Sequence, residues 1–164
     1  MNYPKFEFQS KYDKSINNYD KLNVNLVNGI QIYTGTTDYS KKNMEIIIKI
    51  LIGLVALIHC YILWFEMFAW ETRGRKVFRN FPAELFPKTK TLAANQGLYN
   101  GFLAAGLIWT FFIDNTEWQT NVSLFFLGCV AVAGIYGAIS ASKKIFFVQG
   151  LPAIITLLLV LLNR

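Results

Sequence analysis

Charge is scarce in this sequence. Only 16% of its 164 residues are Asp, Glu, Lys or Arg, against roughly 25% in an ordinary soluble protein. A water-soluble globule is therefore disfavoured at the outset. Cysteine and histidine are scarcer still: Cys60 and Cys129 each lie inside an apolar run, no CxxC pair occurs, and His59 is the one histidine. A disulfide framework or a zinc site needs more ligands than these. Both cysteines read as small packing residues, and neither a metal nor a cofactor is expected.

What the chain has instead is apolar length, with 54% hydrophobic residues. Four runs are long enough to cross a ~30 Å hydrocarbon core, which takes about 20 helical residues: Ile46 to Trp70, Leu92 to Ile113, Val122 to Ala141 and Ile145 to Leu162. The runs are continuous and lack the in-and-out alternation of a membrane strand, so each is read as a helix. The expected fold is all-α, a polytopic membrane protein with four transmembrane helices in a bundle.

The net charge of +6 invites a nucleic-acid reading, but the bases cluster in short connections. Arg73, Arg75, Lys76, Arg79, Lys88 and Lys90 lie in the first, and Lys143 and Lys144 in the third. The second, 114 to 121, has two acids and no base. Positive-inside topology accounts for this pattern and places the first and third loops in the cytoplasm of a multi-pass plasma-membrane protein. The lipid bilayer is then the main partner, and no nucleic acid is expected. Within the first loop Phe78, Phe81, Leu85 and Phe86 alternate with the bases, and Pro82 and Pro87 interrupt any long helix.

The domain boundary falls before Met44. Residues 1 to 43 hold six lysines and seven asparagines with no apolar signal core; they read as a polar, mobile N-terminal extension ahead of a transmembrane domain at 44 to 164, with Met44 placed where a compact membrane protein could start. In the extension Leu22, Val24 and Leu26 alternate toward Asn28-Gly29, and Ile30 and Ile32 alternate away, a hairpin signal.

Polar groups inside a span are costly and tend to face a bundle interior, so they are the informative residues. His59 and Glu66 are seven apart, on one face of the first helix and about 10 Å apart along its axis. The second helix opens with Asn95, Gln96 and Asn100, the last two at i, i+4 spacing. The third contributes Tyr136 and the fourth Gln149, followed by Gly150 and Pro152. All seven fall between the bilayer centre and the inner leaflet, a layer expected to bind a ligand, with Glu66 as its charge. The alternative partner for Glu66 is Arg73 at the interface. The small-residue ladders Gly97, Gly101, Ala105 and Ala133, Gly137, Ala141 predict close helix contacts.

The runs LVALIHCYILWFEMFAWETRGRKVF (54 to 78), AANQGLYNGFLAAGLIW (93 to 109), AGIYGA (133 to 138) and FVQGLPAI (147 to 154) resemble the bacterial membrane proteins grouped as the domain of unknown function 1304 family. The resemblance covers about residues 44 to 162. It implies a small four-helix integral membrane protein and brings no reaction with it. Three function classes are weighed. The first is a protein that binds or permeates a small molecule or lipid-like compound, with homodimerisation as the way four helices would suffice for transport. The second is an intramembrane enzyme, an isomerase or redox partner, using Glu66 or His59; it ranks lower because the chain lacks a nucleophile, base and orienter set. The third is a structural or accessory membrane subunit.

Overall fold

The computed structural model describes residues 24–27, 30–33 and 35–164, with side-chain surroundings from Tyr39 onward. The chain divides into two units, Met1–Lys42 and Asn43–Arg164, each described by itself. In the first, β1 (Val24–Val27) pairs antiparallel with β2 (Ile30–Tyr33), Val24 opposite Tyr33 and Val27 opposite Ile30. This is the hairpin that the alternation around Asn28-Gly29 predicts; the connecting pair itself and residues 1–23, where most of the expected mobile extension falls, lie outside the described residues.

The second unit is built from four long helical stretches. α1 (Gly35–Phe68) begins upstream of the boundary drawn at Met44. A π turn (Trp70–Gly74) and the short α2 (Arg75–Val77) lead to α3 (Leu85–Trp109). A 3-10 turn (Thr110–Phe112) precedes α4 (Thr116–Ser140), whose start is capped by the Asn115 side chain accepting from the Trp118 amide at 2.9 Å. The short α5 (Lys143–Ile145), a second π turn (Phe146–Gly150) and α6 (Leu151–Leu162) complete it. The protein is thus an all-α membrane bundle. Among the described residues three helices are long and apolar enough to cross a membrane: Tyr39–Phe68, Thr116–Ser140 and Lys143–Leu162. α3 falls short of that criterion because Lys88, Lys90, Asn95, Gln96 and Asn100 all lie in its first two-thirds.

α3 starts seven residues before the expected Leu92. Pro87 does not prevent this, because it occupies the first turn, where a missing amide hydrogen removes no intrahelical bond. The basic connection is correspondingly shorter, and its aromatic residues fold inward as a cluster: Trp70 lies with its ring centroid 5.7 Å from that of Phe78, 6.2 Å from that of Phe81 and 5.3 Å from that of Phe86. Buried Gly74 lets the π turn approach Phe86, which would sit 2.9 Å from a Cβ there.

Three layers stack along α1 and α3. Away from the basic connections, Ile48, Ile52, Val55 and Ala56 of α1 form one apolar core with Leu107 of α3, Leu127, Val130 and Ala131 of α4, and Ala153 and Val160 of α6. Their spacing on α1 is the apolar stripe of a packed helix. The aromatic cluster makes the opposite layer. Between the two lie His59, Glu66 and Asn100.

The helix crossings use glycine, though not along both predicted ladders. Gly97 and Gly101 face α1, where a Cβ at Gly97 would lie 2.9 Å from Met67 and 3.1 Å from both Glu66 Cβ and the Leu63 carbonyl, and one at Gly101 would overlap Leu63. Ala105, by contrast, is exposed. On α4 the crossing point is Gly134, against the backbone of Gly150, while Gly137 meets Ile145 and both Ala133 and Ala141 are exposed.

Candidate functional site in the polar layer

Most buried hydroxyls in the bundle are satisfied within their own helix. Thr110 donates to Leu107, Ser123 to Gln119 and Thr156 to Pro152, each to a backbone carbonyl at 2.7 Å. Such back-bonding is the usual solution where no water is at hand. The polar layer departs from it. Asn100, only 6% exposed, reaches across from α3: its Nδ2 donates to Glu66 Oε2 at 2.9 Å and to the Gln96 backbone carbonyl at 3.1 Å. The second bond runs along the helix and fixes the amide so that its other hydrogen faces the carboxylate. The absence of a side chain at Gly97 lets the root of Glu66 lie against α3.

Glu66 has no ion-pair partner among the described residues. Among the described residues the one ion pair joins Lys90 to Glu71 at 2.8 Å, near the surface. Arg73, the alternative partner, is turned away, its guanidinium stacked over Trp64 at 4.9 Å from the ring centroid. A carboxylate within an apolar span therefore rests on a single neutral donor.

His59 is wholly buried. Its Nδ1 is 2.8 Å from the Val55 carbonyl, and a carbonyl only accepts, so Nδ1 carries the proton in the neutral ring. Nε2 is left as an acceptor with no partner among the described residues. Two turns along α1, Glu66 and His59 thus share a face and a condition: both present unfilled acceptor capacity.

The other predicted residues are placed differently. Gln96 contributes its backbone carbonyl, while its side chain and that of Asn95 are exposed. Tyr136 is 70% exposed on α4. Gln149 is half-buried in the π turn before α6, and no hydrogen bond joins it to Glu66, Asn100 or His59 among the described residues. No group of three or more His, Cys, Asp or Glu suited to a metal ion occurs among the described residues. Sequence reasoning missed the tie between Trp70 Nε1 and Thr89 Oγ1 at 3.0 Å, which pins the end of α1 to the start of α3. The signal was Pro87 in a first helical turn, which puts Thr89 inside α3 instead of in a loop.

An all-α bundle with three helices apolar enough to cross a membrane, one of them joined to α3 by a carboxylate–amide contact, defines a small integral membrane protein. The chain belongs to the family described as protein of unknown function (DUF1304), which matches residues 53–161 and so takes in all seven candidate residues. It is similar to Uncharacterized protein YpaA of Lactococcus lactis subsp. lactis (strain IL1403), 35% identical over 117 residues that make up 70% of this chain and 97% of that protein. No solved structure matches.

Proposed function

We propose that this protein binds, and in a dimeric form permeates, a small molecule or lipid-like compound at the polar layer between α1 and α3. The observation that carries the reading is the Glu66–Asn100 hydrogen bond, an interhelical contact made by a carboxylate in a setting where other buried polar groups bond within their own helix. An intramembrane carboxylate is a functional-site hypothesis by default. A neutral amide at its side suits orientation of a ligand better than catalysis. The setting belongs to the proposal as well: the plasma membrane, crossed four times with α3 as the fourth span, and the connections that carry Arg73 to Arg79 and Lys143 to Lys144 in the cytoplasm by the positive-inside rule.

Untargeted mass spectrometry of compounds that co-purify with the wild type and with a Glu66→Gln, Asn100→Ala double variant tests the binding reading. A compound retained by the first and lost by the second is expected; identical profiles would overturn it. For sidedness, a cysteine at Lys76 should be labelled only from the cytoplasm and one at Thr116 only from outside. Reversed labelling would invert the topology and place the polar layer in the outer half.

A further inference from the structure

The unfilled hydrogen-bonding capacity of the polar layer has one sign. An ionised carboxylate accepts about four hydrogen bonds, and Glu66 receives one, from Asn100. His59 Nε2 is a lone-pair acceptor by the tautomer that the Val55 carbonyl imposes, is wholly buried, and has no partner among the described residues. Asn100 spends its amide group on Glu66 and Gln96. Of the cations in the segment from Arg73 to Lys90, Arg73 stacks over Trp64, Arg75 lies over Phe86 at 6.0 Å and Lys90 pairs with Glu71. Among the described residues the trio of His59, Glu66 and Asn100 therefore holds vacant acceptors on an imidazole and a carboxyl group, with no unspent donor of its own and no ion-pair partner to meet an anion.

Resting on the binding reading above, we infer that the ligand is a lipophilic organic cation with an N–H donor, a protonated amine on an apolar body, whose charge is met by Glu66. Charge selection follows from where the carboxylate sits. In a low-dielectric span Coulomb attraction is far stronger than in water, and an anionic ligand would face Glu66 with nothing to offset the repulsion. The flanking residues suit an apolar body: Leu63 and Met67 on α1 lie against Gly101 and Gly97, and Phe65 packs on Trp70 and Phe78 of the aromatic cluster.

Three rigid compounds that differ only in head group test this on the whole chain in neutral detergent by equilibrium dialysis against protein-free micelles: 1-adamantylammonium, 1-adamantanol and 1-adamantanecarboxylate. The ammonium should bind saturably, about tenfold or more tighter than the alcohol, and the carboxylate should not bind. Glu66→Gln should remove the preference for the ammonium. Glu66→Asp, which keeps the charge, should preserve the order of the three compounds even if affinity falls, and so guards against a Glu66→Gln variant that fails to fold. Absence of saturable ammonium binding, equal binding of the alcohol, or ammonium binding unchanged in Glu66→Gln would overturn the inference. A neutral or anionic compound that co-purifies in a Glu66-dependent way would overturn the cation and leave the binding reading standing. Loss of both, no Glu66-dependent compound of any charge and no ammonium binding, would retire the two together.

Discussion

The α1–α3 and α4–α6 contacts solve one problem in opposite ways. Helices in lipid gain little from the hydrophobic effect when they associate, so close packing and hydrogen bonds must hold them. α4 meets the π turn before α6 backbone to backbone, with Gly134 against Gly150 and, among the described residues, no side-chain hydrogen bond across the contact. α1 meets α3 through Gly97 and Gly101 as well, but adds a carboxylate, an amide and an indole hydrogen bond. Packing alone suffices at the first contact. The polar groups at the second are thus not required for helix association as such, which is why they are the place to look for function.

The comparison breaks most visibly at Gly134. A Cβ there would lie 2.5 Å from Gly150 Cα and 2.6 Å from its nitrogen, and backbone atoms have no rotamer with which to yield. Gly134→Leu should cost about 3 kcal/mol or more, at or beyond the top of the usual range for overpacking, read as loss of the thermal unfolding transition in detergent. Gly97→Ala should be milder, about 1–2 kcal/mol: Met67 Cγ, at 2.9 Å, is a flexible side chain, but the Leu63 carbonyl at 3.1 Å is not. It should also weaken co-purification of the ligand, whereas Gly134→Ala, if folded protein survives, should leave binding per folded molecule unchanged.

That the two contacts differ was only partly legible in the sequence. The depth of Glu66 and Asn100 on antiparallel helices places them together, because rise per residue is fixed and the spans are bounded by lipid thickness. Rotation about the axis is less constrained. On α4 the ladder Ala133, Gly137, Ala141 holds only at Gly137, which meets Ile145; Ala133 and Ala141 are exposed, and Gly134, outside the ladder, makes the closest approach, to the backbone of Gly150. The same indeterminacy separates Gln96 and Tyr136, which face outward, from Asn100, which does not. The early start of α3 is hidden by Pro87, which breaks a helix interior but is tolerated in the first turn it occupies.

A double-mutant cycle sharpens the comparison at smaller scale. Glu66→Gln and Asn100→Ala should show a coupling of about 0.5–1.7 kcal/mol in thermal stability, the range for interhelical hydrogen bonds in membranes. Asn100→Ala combined with Gly134→Ala should add, because the two residues share no partner. Additivity at Glu66 and Asn100 would mean that their hydrogen bond carries no net energy and that α1 and α3 are held by glycine contacts, like α4 and α6.

The smallest effect on stability is expected at His59, and it separates packing from function most cleanly. Replacing it with leucine removes two things: the Nδ1 bond to Val55, which is local to α1, and the buried Nε2, which has no partner. The first contributes about 1 kcal/mol and the second costs about 1–3 kcal/mol when left unmade, and leucine fills a similar volume in an apolar layer. Stability should therefore stay level or rise by about 1 kcal/mol, measured by thermal unfolding of the purified protein without ligand. If Nε2 is an acceptor for the ligand, the same substitution should reduce the amount of compound that co-purifies, so that stability and binding move in opposite directions. A His59→Leu protein that is clearly destabilised would show that His59 packs a core no leucine can fill; one that is stabilised and still retains the full amount of ligand would confine the binding site to Glu66 and Asn100.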